Sequence, residues 1–156
     1  MEPLHAVSLS PFALAFFGAA LLVTLAVLAA WDCACRRLPN QWTALLFLQA
    51  VGWSLAAGRE AAILGGAVWA GVYLAAGLRG GIGGGDVKLA AGLGTLVGVF
   101  SVPLVLLASA GASLLALCEF GIRRVCVGAS GRGGTLAHGP HMIAAAVASC
   151  AGFVLL

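Results

Sequence analysis

The sequence predicts an all-α protein, a polytopic integral membrane bundle of about six transmembrane helices, with residues 1–156 forming a single membrane-embedded domain. Three observations predict this. Hydrophobic residues make up 62% of the chain and charged residues only 8%, too little polarity to coat a water-soluble globule. The apolar residues fall into long runs separated by Gly, Pro and charged breakers. The basic residues are biased to alternate connections between those runs.

The first run predicts a helix over 12–31, closed by Pro39 and Asn40. Helices over 41–57 and 60–78 follow, separated near Gly58 and Glu60. After the glycine run 80–85 come helices over 86–100 and 103–120, divided at Pro103, and Pro140 opens a last helix over 140–156. The fourth and sixth are short and are expected to sit among their neighbours or to thin the bilayer. The polar stretch between Gly121 and Gly139 reads as a mobile loop. Gly65, Gly66 and Gly71, with Gly94 and Gly98, supply the small residues that close helix contacts in lipid require.

The net charge of +3 is dispersed between apolar runs, which argues against nucleic-acid binding. The N-terminus carries Glu2 and His5 but no Lys or Arg, and its apolar run is too long for a secretory h-region, so the first helix is expected to be retained. Five cysteines, an odd number without scaffold spacing, argue against a disulfide framework. Cys33, Cys35, Cys126 and His138 could in principle hold a metal. With no second paired-cysteine motif, small apolar filling is the favoured role, and neither a metal nor a cofactor is expected. Seven of the eight basic residues, Arg36, Arg37, Arg79, Lys88, Arg123, Arg124 and Arg132, fall in the odd-numbered connections or beside them, and only Arg59 falls opposite. The odd connections are therefore expected in the cytoplasm and both termini outside.

Only five acidic residues are present, and two stand at predicted membrane edges on the same side: Asp32 after the first helix and Asp86 at the start of the fourth. Each has a bland reading. Asp86 could cap a helix after a glycine turn, and Asp32 could pair with Arg36 one turn on. Together they suggest a shared site. Gly83 and Gly85 can take positive φ and admit a close backbone, as an extended substrate would need.

The element Gly83-x-Gly85-Asp86 followed by Val87, Lys88 and Leu89, with Asp32 ahead of Arg36-Arg37-Leu38-Pro39-Asn40, resembles the type IV prepilin peptidases, the GxGD aspartyl proteases of the membrane. The likeness is strongest to the short branch serving tight-adherence (Flp-type) pili, and Gly139-Pro140 is similar to a further Gly-Pro element of that family. The resemblance implies an endopeptidase of the inner membrane in type IV pilus biogenesis. It would cleave prepilin leaders at the cytoplasmic face, with Asp32 and Asp86 catalytic. Gly83, Gly85, Pro39, Asn40, Gly139 and Pro140 would shape the substrate-binding loops, and the partners would be a prepilin and membrane lipid. The larger bifunctional members carry two CxxC pairs, whereas here only Cys33-Ala34-Cys35 occurs, so N-methyltransferase activity is not expected.

Two carboxylates in one pocket cannot both ionise cheaply, so one would keep a proton while the other activates water. Helix dipoles assign Asp86, at a helix N-terminus, as the ionised base and Asp32, near a C-terminus, as the protonated partner. Lys88 is expected to snorkel to headgroups, Glu119 to pair with Arg123, and His138 and His141 to be loop residues. The rival readings are a small transporter or channel using Asp32 and Asp86 for cations or protons, and a non-catalytic assembly subunit.

Overall fold

The computed structural model describes residues 10–78, 80, 82–127 and 137–155. They form six helices, α1 Pro11–Cys35, α2 Asn40–Ala56, α3 Ala62–Gly77, α4 Gly84–Gly98, α5 Val102–Val127 and α6 Gly139–Leu155, with no strand among the described residues. Arg79 and Arg132, two of the basic residues used to orient the chain, lie outside them.

Helix α1 opens with Ser10, whose hydroxyl accepts from the Ala13 N–H at 3.2 Å, and with Pro11 in the first turn. It runs four residues beyond its expected end, because Asp32 to Cys35 contain no breaker. It stops at Arg36, which turns left-handed at φ 51 and ψ 36 and donates its N–H to the Asp32 carbonyl. At 25 residues, α1 and the Val102–Cys126 stretch of α5 are long and apolar enough to cross a membrane, each spanning about 37 Å. Helix α5 also overruns its expected end, by seven residues. The Glu119–Arg123 pair and the Arg124 guanidinium 6.0 Å from the Phe120 ring support those two extra turns.

Helix α4 is the centre of the bundle, packing against α2, α3, α5 and α6. It buries Leu89, Ala90, Gly92, Leu93, Gly94, Thr95, Val97 and Gly98. Its seam with α3 is backbone against backbone. A Cβ on Gly65 would stand 2.5 Å from the Gly94 carbonyl oxygen, and one on Gly98 would stand 2.6 Å from that of Ala62. Gly66 joins the seam, whereas Gly71 faces open space and takes no part. Leu22, Leu48, Leu107, Leu117 and Val154 are among many large apolar side chains left exposed, a surface matched to lipid.

Arg59, the basic residue opposite the others, donates to the Val99 carbonyl at 3.1 Å and closes the C-terminal end of α4. Among the described helices, α1 packs on α2 and α6 alone. Its inward stripe is Thr24, Leu25, Leu28 and Asp32, residues that recur at helical spacing. Asp32 therefore points into the bundle because it continues the buried face of its helix.

Candidate active site

Asp32 and Asp86 line one cavity of about 460 Å³, together with Arg36, Arg37, Leu38, Asn40, Gly83 to Gly85 and His138. Asp32 comes from the last turn of α1 and is 5% exposed. Asp86 comes from the first turn of α4 and is half-buried. Neither forms an ion pair with an arginine among the described residues, so the one-turn pairing of Asp32 with Arg36 does not occur.

Each carboxylate accepts from a backbone N–H that no helix uses. The first N–H groups of a helix have no partner within it. Gly139 begins α6, and its N–H donates to Asp32 Oδ2 at 2.8 Å in a buried bond between residues distant along the chain. Glycine leaves the room for this close bond, because a Cβ on Gly139 would stand 2.9 Å from that same oxygen and push it away. Pro140 follows in the first turn, where its missing N–H costs nothing. At the other carboxylate, the Gly83 N–H donates to Asp86 Oδ2 at 3.3 Å, so Asp86 sits at the third helical position and reaches back to the helix start.

The glycines act differently from expectation. Gly83 is extended at φ −77 and Gly84 and Gly85 are already helical. Among the described glycines only Gly58 and Gly80 have positive φ. What Gly85 provides is room, since a Cβ there would stand 3.1 Å from Leu38 Cβ. The α1–α2 connection thus rests directly on the start of α4. Pro39 precedes α2 as its N-cap, and Asn40 opens the helix.

Lys88 does not simply reach for headgroups. Its Nζ donates to Asn40 Oδ1 at 2.7 Å, tying α4 to α2 at the cavity rim. Asn40 and Lys88 also border a second, more apolar groove of about 410 Å³, lined by Thr43, Ala44, Phe47 and Ala91. His138 is more than a loop residue. It forms part of the aspartate cavity, and its Nε2 is 2.8 Å from the Tyr73 hydroxyl on α3. Burial holds its ring below the ordinary histidine range, with His141 adding to that effect and Asp32 opposing it. His141 belongs to α6 and contacts Glu119, which also holds Arg123 as the sequence predicted. The signal for both histidines was present in the sequence, as polar rings flanking a Gly-Pro helix start in an otherwise apolar chain.

Among the described residues no three His, Cys, Asp or Glu side chains gather as a metal cluster, and the described cysteines are free. Two acids, each accepting from a backbone N–H, thus line one cavity at one end of a helical bundle. No curated protein and no solved structure matches the chain. A family model described as the type IV leader peptidase family matches residues 19–118, a span that contains both aspartates and ends before Glu119 and the α6 residues. With well over half of its length matched, the chain belongs to the type IV leader peptidase family.

Proposed function

We propose that the protein is a membrane-embedded aspartic endopeptidase that removes the leader from a type IV prepilin of the Flp type, with Asp32 and Asp86 as its catalytic pair. The observation that carries this reading is the single cavity walled by both aspartates in a chain of the leader peptidase family. Multiple helices cross the inner membrane, both termini lie outside, and the aspartates face the cytoplasm. In support, Arg36, Arg37 and Lys88 stand at or next to the helix ends that carry Asp32 and Asp86, and Arg123 and Arg124 stand near the end of α5, where Glu119 meets His141 beside the start of α6. Processing is confined to peptide cleavage, without methylation of the new N-terminus.

Two acids in one cavity share a proton more readily than both ionise. The shorter, more buried backbone hydrogen bond is the one to Asp32, and it comes from the N-terminus of α6, whose dipole also favours negative charge. On the strength of that bond we place the base at Asp32, the reverse of the assignment that the dipoles of α1 and α4 alone suggest. Asp32 is the ionised base that takes a proton from the attacking water. Asp86, with its longer bond of 3.3 Å, carries the proton that polarises the scissile carbonyl. Water adds to the carbonyl carbon, the tetrahedral intermediate collapses, and the amine leaves with a proton from the pair. The apolar groove between α2 and α4 adjoins the cavity at Asn40 and receives the apolar segment that follows the scissile bond.

The test is co-expression with a candidate prepilin. Asp32→Asn and Asp86→Asn should each leave the prepilin uncut while both proteins insert normally. Normal processing by either variant would instead favour the transporter or assembly readings.

A further inference from the structure

We propose that His138 and His141 are positioning residues that hold the Gly139 N–H against the Asp32 carboxylate. The inference rests on the reading of Asp32 as a catalytic carboxylate, and it concerns residues outside the span that the family model matches.

Gly139 is the hinge of the matter. Its N–H has no helical partner, so its direction is set by the turn that leads into α6. The residues before it, Ala137 and His138, have no regular structure. The turn is tied down on both sides of Gly139 instead. On one side His138 Nε2 meets the Tyr73 hydroxyl at 2.8 Å and so joins the turn to α3. On the other, His141 Nε2 meets Glu119 Oε2 at 2.6 Å and so joins it to α5. His141 also folds back, its Nδ1 donating to the Ala137 carbonyl at 3.1 Å across Gly139. The two rings lie 6.2 Å apart and 30° from parallel.

The partners around His141 define its part. One ring nitrogen faces a carbonyl and the other a carboxylate, so the ring is held from both sides. Glu119 is itself held by Arg123. It also continues the buried stripe of α5, seven residues after Ala112, so the clamp faces α6 because of the helical repeat. The clamp therefore fixes a backbone donor, and that donor fixes a carboxylate. Neither histidine needs to touch the reacting atoms for this effect.

The experiment uses full-length protein in nanodiscs with a synthetic prepilin peptide, and compares wild type with Tyr73→Phe, His141→Leu and Glu119→Gln. Tyr73→Phe removes one oxygen atom and keeps the core filled, so it remains informative if His141→Leu folds poorly. Tyr73→Phe and His141→Leu should each lower kcat by about tenfold with KM within about twofold. Glu119→Gln keeps an acceptor for His141 and should recover most of the rate. In ¹⁵N-glycine-labelled protein, the Gly139 amide proton should resonate downfield, as a donor to a carboxylate does, and should move upfield in the two impaired variants. Unchanged kcat with an unmoved Gly139 resonance, even beside a lowered melting temperature, would show that the histidines only fasten helices and would overturn the proposal. The resonance requires no turnover, so it still reports the coupling if Asp32→Asn proves fully active and the peptidase reading itself fails.

Discussion

Replacing Gly139 by alanine adds one methyl group at the point where α6 meets the Asp32 carboxylate. That methyl would stand 2.9 Å from Asp32 Oδ2, and 3.4 Å from both Asp32 Cγ and a Leu89 methyl. Ordinary contact begins near 3.4 Å, so the oxygen must retreat by about 0.5 Å. The 2.8 Å hydrogen bond from the Gly139 N–H then opens to about 3.3 Å. A hydrogen bond to a charged group contributes roughly 1.5–3 kcal/mol, and losing about half to two-thirds of it costs about 1–2 kcal/mol. If Asp32 is the base that this bond holds in place, kcat falls by about 5–30-fold. Stability should hold. Gly139 is not left-handed, and alanine is the better helix former. The assay is cleavage of a synthetic prepilin peptide by detergent-solubilised protein, with the thermal midpoint measured on the same preparation. A Gly139→Ala protein with wild-type kcat would refute the link between this donor and catalysis. A rate that fell only in step with stability would assign the effect to packing instead.

Three further outcomes follow from the same contacts. Gly94→Val places a branched side chain where even a Cβ would lie 2.6 Å from the Gly65 carbonyl oxygen. It should destabilise the α3–α4 seam by at least the roughly 1–3 kcal/mol of an overpacked core, read as lost abundance and a lowered melting temperature. Ala44→Trp puts bulk into the apolar groove from an exposed position, and should raise KM for a peptide with an intact apolar segment about tenfold while leaving kcat and the melting temperature near wild type. Burial keeps His138 neutral in the folded protein below the ordinary histidine range. Its contribution to stability is thus complete above about pH 6.5 and declines as the pH falls below that value, where the unfolded chain binds the extra proton. Melting curves in detergent should show that decline in wild type and a weaker one in His138→Phe.

Much of the fold was legible because lipid imposes a simple grammar. An apolar run ended by Gly, Pro or charge must be a helix, and all six helices fall where such runs lie. Their ends were harder to read. Cysteines and alanine carry no stop signal, so α1 passes through Asp32 and ends only at the left-handed Arg36. Helix α5 continues through Gly121 because side-chain pairs on either side support it. The aspartates were legible as rare acids next to breaks between apolar runs. The donor to Asp32 was not, since a backbone N–H from a residue more than 100 positions away leaves no trace in composition or periodicity. Gly139-Pro140 was visible as a motif, yet the reason for its glycine, a carboxylate oxygen where a Cβ would stand, is a tertiary fact. The partners of Lys88 and of His138, a loop residue as expected, and the helical place of His141 were not legible for a related reason. In a membrane chain a polar side chain at a helix end has two outlets, headgroups or a neighbouring helix, and only packing chooses between them.

The central claim is that Asp32 and Asp86 act as one catalytic unit, and a double-mutant comparison of purified protein tests it most directly. Peptide cleavage should fall by about 10²–10⁴-fold in Asp32→Asn and in Asp86→Asn, and the variant carrying both changes should be no worse than either alone. Two modest losses that multiply in the double variant, or near wild-type cleavage by either single one, would contradict the account.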